Sequence, residues 1–321
     1  NWAWKEKYSE MELDIHYLDN KVVINNIKNF NIKQICECGQ CFRWKKEKEN
    51  NYIGVAYGRV IEVLQEDDTV TIYNASEEDF KNIWIKYFDL ERDYSKIKDI
   101  LSQDEILKVA LEYGYGIRIL NQDPFELVIS YIISARNSIP VISKTINNIC
   151  EAYGKKLDYK GKIYYAFPTI EELSKASVEE IKNLGGSFRS KYIVDTTNKI
   201  YMCNLAKEKK LDESKEIIEE LLEKYDLEKI KNMSDNDCHK ALQEFKGIGA
   251  KVSDCIMLFS MQKYSAFPVD IWVKRAMIHF YGANDTSLNK IRVFAREKFG
   301  ELSGFAQQYL FYYAREKGIK F

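Results

Sequence analysis

The chain has 321 residues, 45% hydrophobic and 13% aromatic, enough apolar material for two or three folded domains and too long for one small core. Its charged residues, 30% of the chain, balance to a formal net charge of -1, which excludes a globally basic or acidic protein; any DNA face must be local. Seven cysteines at irregular spacing exclude a disulfide framework and fit reduced thiols. The longest apolar run, Leu127–Ala135, is far shorter than the ~20 residues of a membrane span. Asn1–Asp14 alternates tryptophan with charge and has no signal-peptide core. An intracellular location, cytoplasmic or nucleoid, is expected, with no membrane contact.

In chain order, Val22–Ile24, Phe42 and Trp44 supply strand residues. Tyr52–Leu64, with two glycines in it, pairs through the charged turn Gln65–Asp68 with Thr69–Tyr73. At Ser76 the period changes, with a Ser-x-x-Asp cap followed by apolar residues at helical spacing. After about Asn121 the pattern reads as helical throughout. Asp123-Pro124-Phe125-Glu126 combines an N-cap, a proline at the first helical position and an acid in the first turn. Further helices are expected at 139–153, 169–183, 190–202, 212–225, 237–245, 250–261, 270–279, 288–299 and 304–315. Strands followed by helices predict an α+β fold: an N-terminal antiparallel β-sheet domain over 1–120, then a mainly α-helical region over 121–321.

The informative stretch is Leu242–Lys274, LQEFKGIGAKVSDCIMLFSMQKYSAFPVDIWVK. Two short helices meet at Lys246-Gly247-Ile248-Gly249, where Gly247 and Gly249 let the backbone turn tightly and approach a partner. The unpaired N–H groups opening the second helix favour a DNA phosphate. That is a helix-hairpin-helix, which grips the backbone and reads no bases. Lys251 stands in the first turn of the second helix, where the dipole disfavours an ammonium. Partial burial beside Val252 and Cys255 would act the same way and leave free amine, the nucleophilic form. The plain alternative is a solvated surface lysine. Asp270, after Phe267-Pro268-Val269, is most simply the N-cap of the next helix; an anion there can also stabilise a developing oxocarbenium.

GIGAKVSDC followed by FPVD resembles the signature of the helix-hairpin-helix (HhH-GPD) glycosylases, specifically the 8-oxoguanine DNA glycosylase/AP lyases. Gly39-Gln40-Cys41-Phe42-Arg43-Trp44, Tyr87-Phe88-Asp89-Leu90, Gln122-Asp123-Pro124, Tyr165-x-Phe167-Pro168 and Gly304-Phe305-Ala306-Gln307 with Phe311 agree in the same order, so the likeness spans about residues 20 to 315. It implies two helical subdomains within 121–321 with the active site in the cleft between them. It implies that Lys251 attacks C1′ of the damaged nucleotide and forms a Schiff base, that β-elimination then nicks the strand, and that Asp270 orients the amine. The partner implied is double-stranded DNA containing an oxidised purine; no protein partner is expected.

The nucleotide must be flipped out at a cost of a few kcal/mol. By position Phe311 and Cys255 resemble the residues that sandwich the base, Gln307 the amide that reads its Watson–Crick edge, and the Gly39 carbonyl the acceptor for N7–H, a proton that guanine lacks. Without the collinear match these would read as core, a surface amide and a bend. Phe188 falls where the family inserts an aromatic wedge, and Arg189 where it contacts the orphaned cytosine. Arg136 stands where an asparagine is usual, with Asn137 beside it, and Val141 replaces an arginine for that cytosine, which puts strict opposite-base preference in doubt. Trp272 replaces a phosphate-linked histidine, and Lys246 the hairpin proline.

Cys36-x-Cys38-x-x-Cys41 has no fourth ligand nearby in sequence, and the four-cysteine loop of relatives with an iron–sulfur cluster is missing, so no metal and no cofactor are expected. The resemblance also allows a cation held by hairpin backbone carbonyls, which nothing in the residues decides. His239 reads as a surface residue. Two rival readings are an alkylated-base DNA glycosylase and a non-catalytic helix-hairpin-helix DNA-binding protein. Lys251 counts against the first, because alkylated bases leave without help from an amine.

Overall fold

The computed structural model describes residues 13–318, and most of the Asn1–Asp14 stretch lies outside them. Two compact units are present: residues 13–54, 60–121 and 264–318 form one, and residues 55–59 with 122–263 the other. The helices after residue 264 therefore group with the sheet, although the pattern of apolar residues alone assigns them to one helical region with the rest.

The first unit holds all of a six-stranded sheet except residues 55–59 at the β4–β5 turn: β1(Asp14–Leu18), β2(Lys21–Asn25), β3(Trp44–Lys48), β4(Asn51–Ala56), β5(Arg59–Glu66) and β6(Thr69–Tyr73), in the order β1-β2-β6-β5-β4-β3. β2 and β6 pair antiparallel with Val22 opposite Ile72 and Ile24 opposite Val70, and all four side chains are buried. This is the period-two alternation of a half-buried sheet. The stretch 52–64 divides into two strands because Tyr57 and Gly58 both take positive φ, 50° and 73°, the requirement of a tight two-residue hairpin. Helices Ile32–Glu37, Tyr94–Leu101 and Glu105–Tyr113 belong to this unit, with Ile271–Tyr281, Leu288–Phe299 and Ser303–Lys317.

One buried arginine organises the unit. Arg118 donates to the carbonyls of Asp89 (2.7 Å) and Lys28 (2.9 Å), and its guanidinium carbon lies 4.6 Å from the Tyr94 ring centre. Asp89, from the YFDL segment, accepts from Arg92 Nε and Tyr94 Oη, both at 2.7 Å, so that segment is structural. The carbonyl of Arg118 in turn accepts from Gln40 Nε2 at 2.8 Å, and Gln40 Oε1 accepts from the Leu120 amide at 2.9 Å. A fully buried glutamine next to Gly39 is thereby fixed at both ends.

In the second unit, helix Pro124–Ser134 starts as its sequence dictates: Asp123 accepts from the Phe125 amide at 3.0 Å and Pro124 opens the helix. Around it lie helices Ile139–Tyr153, Ser190–Lys207, Lys215–Lys224, Asp235–Leu242 and Ala250–Ser260. Two expectations are corrected. A small hairpin, β7(Lys156–Tyr159) and β8(Lys162–Tyr165), interrupts the helical region, turning at Lys160 and Gly161 with positive φ. The helix expected over 169–183 is two short ones, Ile170–Ser174 and Val178–Ile181, because Thr169 and Ser177 each cap a new start. Among the described residues no helix is long and apolar enough to cross a membrane.

Replacing Arg118 by leucine strands the buried Asp89 carbonyl and the part-buried Lys28 carbonyl. It should lower the unfolding free energy by roughly 2–6 kcal/mol, read as a fall in denaturant midpoint at unchanged m-value.

Candidate active site

The hairpin is built as its glycines require. Gly247 has φ +87°, and a Cβ added there would lie 3.1 Å from Tyr192, so a side chain would be strained and crowded against the helix Ser190–Lys207. A Cβ on Gly249 would meet no atom within 4 Å, so its face is open for a partner to approach. Lys246, in the usual proline's place, reaches to within 3.8 Å of Asp195.

Lys251 occupies the first turn of Ala250–Ser260 and is exposed. The partial burial expected of it is corrected. The preceding turn contributes two glycines, whose missing side chains cannot cover the lysine. Cys255, one turn on and thus on the same face, is buried.

The segment expected to carry the wedge is also in this unit. Phe188 is 55% exposed. Arg189 behind it is buried: Nε donates to the Ala135 carbonyl at 2.9 Å and Nη2 to the carbonyls of Ala135 and Arg136, while the guanidinium carbon sits 4.3 Å from the Phe188 ring centre. Arg189 thus ties the turn that carries Phe188 to residues 135–136, a role the sequence did not suggest. Arg136 is exposed with φ 51°, and Asn137 closes the end of its helix, donating to the Ile133 carbonyl at 3.1 Å and accepting from the Ser138 amide at 3.0 Å. Val141 is 47% exposed.

In the other unit, Asp270 caps Ile271–Tyr281, its Oδ1 accepting from the Val273 amide at 2.8 Å. Trp272 lies in the first turn with the Arg275 guanidinium carbon 5.2 Å from its ring centre. Gln307 is buried; its Nε2 donates to the Pro268 carbonyl at 3.1 Å, and its Oε1 has no hydrogen-bond partner among the described residues. A buried acceptor left open is costly unless a ligand fills it.

Gly39 has φ +81°, and a Cβ there would lie 2.8 Å from Phe311 Cε1, so its backbone faces the ring directly. The turn is held by Gln40, by Gln308 donating to the Cys38 carbonyl at 3.4 Å and by Arg315 donating to the Glu37 carbonyl, none of which the sequence singled out for that task. Burial pushes the Cys38 thiol up to about 12 and Cys36 well above its ordinary value.

This geometry can be set beside known proteins. Residues 22–128 match the model of the 8-oxoguanine DNA glycosylase N-terminal domain, and residues 129–301 that of the HhH-GPD superfamily of base excision DNA repair proteins. The chain belongs to the HhH-GPD superfamily. It is similar to the 8-oxoguanine glycosylase/lyase of Clostridium acetobutylicum, solved with double-stranded DNA containing cytosine opposite 8-oxoguanine: 53% identity, a TM-score of 0.87, 96% of this chain and 100% of that one. It is 31% identical to a probable N-glycosylase/DNA lyase of Methanothermobacter thermautotrophicus over 72% of this chain and 74% of the relative. The N-glycosylase/DNA lyase of Saccharomyces cerevisiae is 29% identical over 86% of this chain and 75% of its own.

For an HhH-GPD protein the two hairpin glycines should separate. Gly247→Ala should cost about 1–3 kcal/mol through its positive φ and the Tyr192 contact. Gly249→Ala should leave the melting temperature within a few degrees and weaken duplex binding; equal effects of the two on stability would contradict the assignment.

Proposed function

We propose that this protein acts in base excision repair, removing 8-oxoguanine from duplex DNA and nicking the strand as a bifunctional glycosylase and AP lyase. The observation that carries this reading is Lys251, an accessible primary amine on the opening turn of the second hairpin helix. An amine can do what the hairpin alone cannot. Its lone pair attacks C1′ as the bond to the base breaks, and loss of the ring-oxygen bond gives the Schiff base. Removal of a 2′ proton then expels the 3′ phosphate. Asp270 serves as the anion that offsets positive charge developing on the sugar.

Gln307 supports a purine with hydrogen-bond donors on its Watson–Crick edge. Its open Oε1 would accept N1–H or N2–H, and Nε2 is oriented by Pro268. The Gly39 carbonyl is assigned to N7–H and Phe311 to stacking, beside a backbone turn that only glycine can form. Cys255 is assigned to the opposite face of the base, Gly247 and Gly249 to phosphate, Phe188 to the wedge, and Arg136, Asn137, Arg189 and Trp272 to the surrounding strands. The amine and the carboxylate meet the needs of this reaction, so the proposal includes no cofactor. Its substrate places the enzyme on the cell's own DNA.

A duplex carrying one 8-oxoguanine should yield a covalent protein–DNA adduct with borohydride. Lys251→Gln should lose the adduct and slow base release by at least 10³-fold while still binding the duplex, and Asp270→Asn should slow it on the order of 10²–10³-fold. Base release without an adduct from the unaltered protein would favour the alkylated-base reading, and binding alone the non-catalytic one.

With Val141 in an arginine's place, the contact that would discriminate a base by about 1–3 kcal/mol is missing. Excision opposite the four bases should differ by less than about 10-fold, and Val141→Arg should sharpen the preference for cytosine. A strong cytosine preference in the unaltered protein would refute this.

A further inference from the structure

His239 lies on the first hairpin helix, Asp235–Leu242, and is 8% exposed, not the surface residue its isolated position suggests. Its Nε2 is 3.1 Å from the carbonyl of Ala250 and 3.6 Å from Oδ1 of the fully buried Asp254. Its Nδ1 is 3.1 Å from Gln243 Nε2. The same Gln243 nitrogen donates to the His239 carbonyl at 3.1 Å, which fixes the orientation of the amide. A carbonyl only accepts and an amide NH2 only donates, so these two contacts together call for a proton on Nε2 and a bare Nδ1. Ser253 Oγ donates to the His239 carbonyl at 2.9 Å, closing a second link between the two helices.

The carbonyl that His239 grips belongs to the peptide whose nitrogen is that of Lys251. An α-helix needs only one N–H for each carbonyl, so the imidazole is an extra bond on the opening turn. The lysine is exposed, so no wall of side chains selects its rotamer. The direction of its Cα–Cβ bond is what the protein can fix, and that direction follows the Ala250–Lys251 peptide plane.

We infer that His239 is a positioning residue for the nucleophile: through the Ala250 carbonyl, with Gln243 setting its tautomer, it holds the first turn of the second hairpin helix so that the Lys251 amine is delivered in register to C1′. The inference rests on the reading of Lys251 as nucleophile and adds a residue that touches neither DNA nor the amine. A displacement of about 1 Å at a reacting group can cost 10²-fold in rate.

The test uses the whole protein, a duplex with one 8-oxoguanine opposite cytosine, and borohydride. If the unaltered protein gives no adduct, or Lys251→Gln still gives one, the nucleophile reading falls and this inference with it. Given a lysine-dependent adduct, His239→Leu should slow single-turnover trapping by about 10- to 100-fold with duplex affinity within about 3-fold of the unaltered protein. His239→Gln, whose amide can still donate to the Ala250 carbonyl, should recover most of the rate. Trapping at full rate in His239→Leu, or equal slowing in both variants, overturns the proposal. A measurement independent of variant folding is the 15N spectrum of the unaltered protein, expected near neutral pH to show His239 protonated on Nε2 and bare on Nδ1. A proton on Nδ1 overturns it as well.

Discussion

A lysine that stands in solvent has to be aimed by its backbone, and much of this molecule's second unit can be understood from that constraint. Lys251 carries four methylenes of rotational freedom, and the turn before it supplies glycines that give no cover. Order must therefore come from below. Gly247 packs against Tyr192 with a φ that other residues resist, and His239 and Ser253 tie the two hairpin helices together. Farther along, Tyr131 stacks on Phe259 at 6.0 Å, fastening the second hairpin helix to the buried helix Pro124–Ser134. The open face of Gly249 and the accessible amine are what this internal packing leaves for a substrate.

The first unit meets a related problem with polar groups. Reading a base edge takes hydrogen-bonding atoms held in fixed directions away from bulk water, and each must be satisfied or reserved. Gln40 is satisfied at both ends, Arg118 spans two carbonyls, and Gln308 and Arg315 hold the turn around Gly39. Gln307 is buried with its Nε2 on the Pro268 carbonyl, and its Oε1 has no hydrogen-bond partner among the described residues, which is what the proposed base-reading role requires. Asp270 does double duty: its bond to the Val273 amide starts a helix and fixes where the carboxylate sits.

Arg189 shows how a role inferred by position can acquire a second meaning. Its guanidinium lies against the Phe188 ring and ties down residues 135–136, so a residue expected to contact DNA also braces the turn that carries Phe188. Asn137 likewise spends its amide on its own helix end. Both can serve DNA only in so far as these internal bonds remain or are exchanged.

Local chemistry was readable from the chain itself. Caps at Ser76 and Asp123, the alternation of Val22 and Ile24, the glycines of the hairpin and the placing of Lys251 and Asp270 at helix starts are decided within a few residues of each position. Tertiary structure decided what depends on neighbours distant in sequence. His239 looked like a surface residue because its acceptor, Ala250, is 11 positions away on another helix. Residues 264–318 looked like a continuation of the helical region, yet they group with the sheet. Helical periodicity reports that a face will be buried and is silent about which partner buries it, so the burial of His239, the exposure of Lys251 and the open oxygen of Gln307 had to await the packed chain.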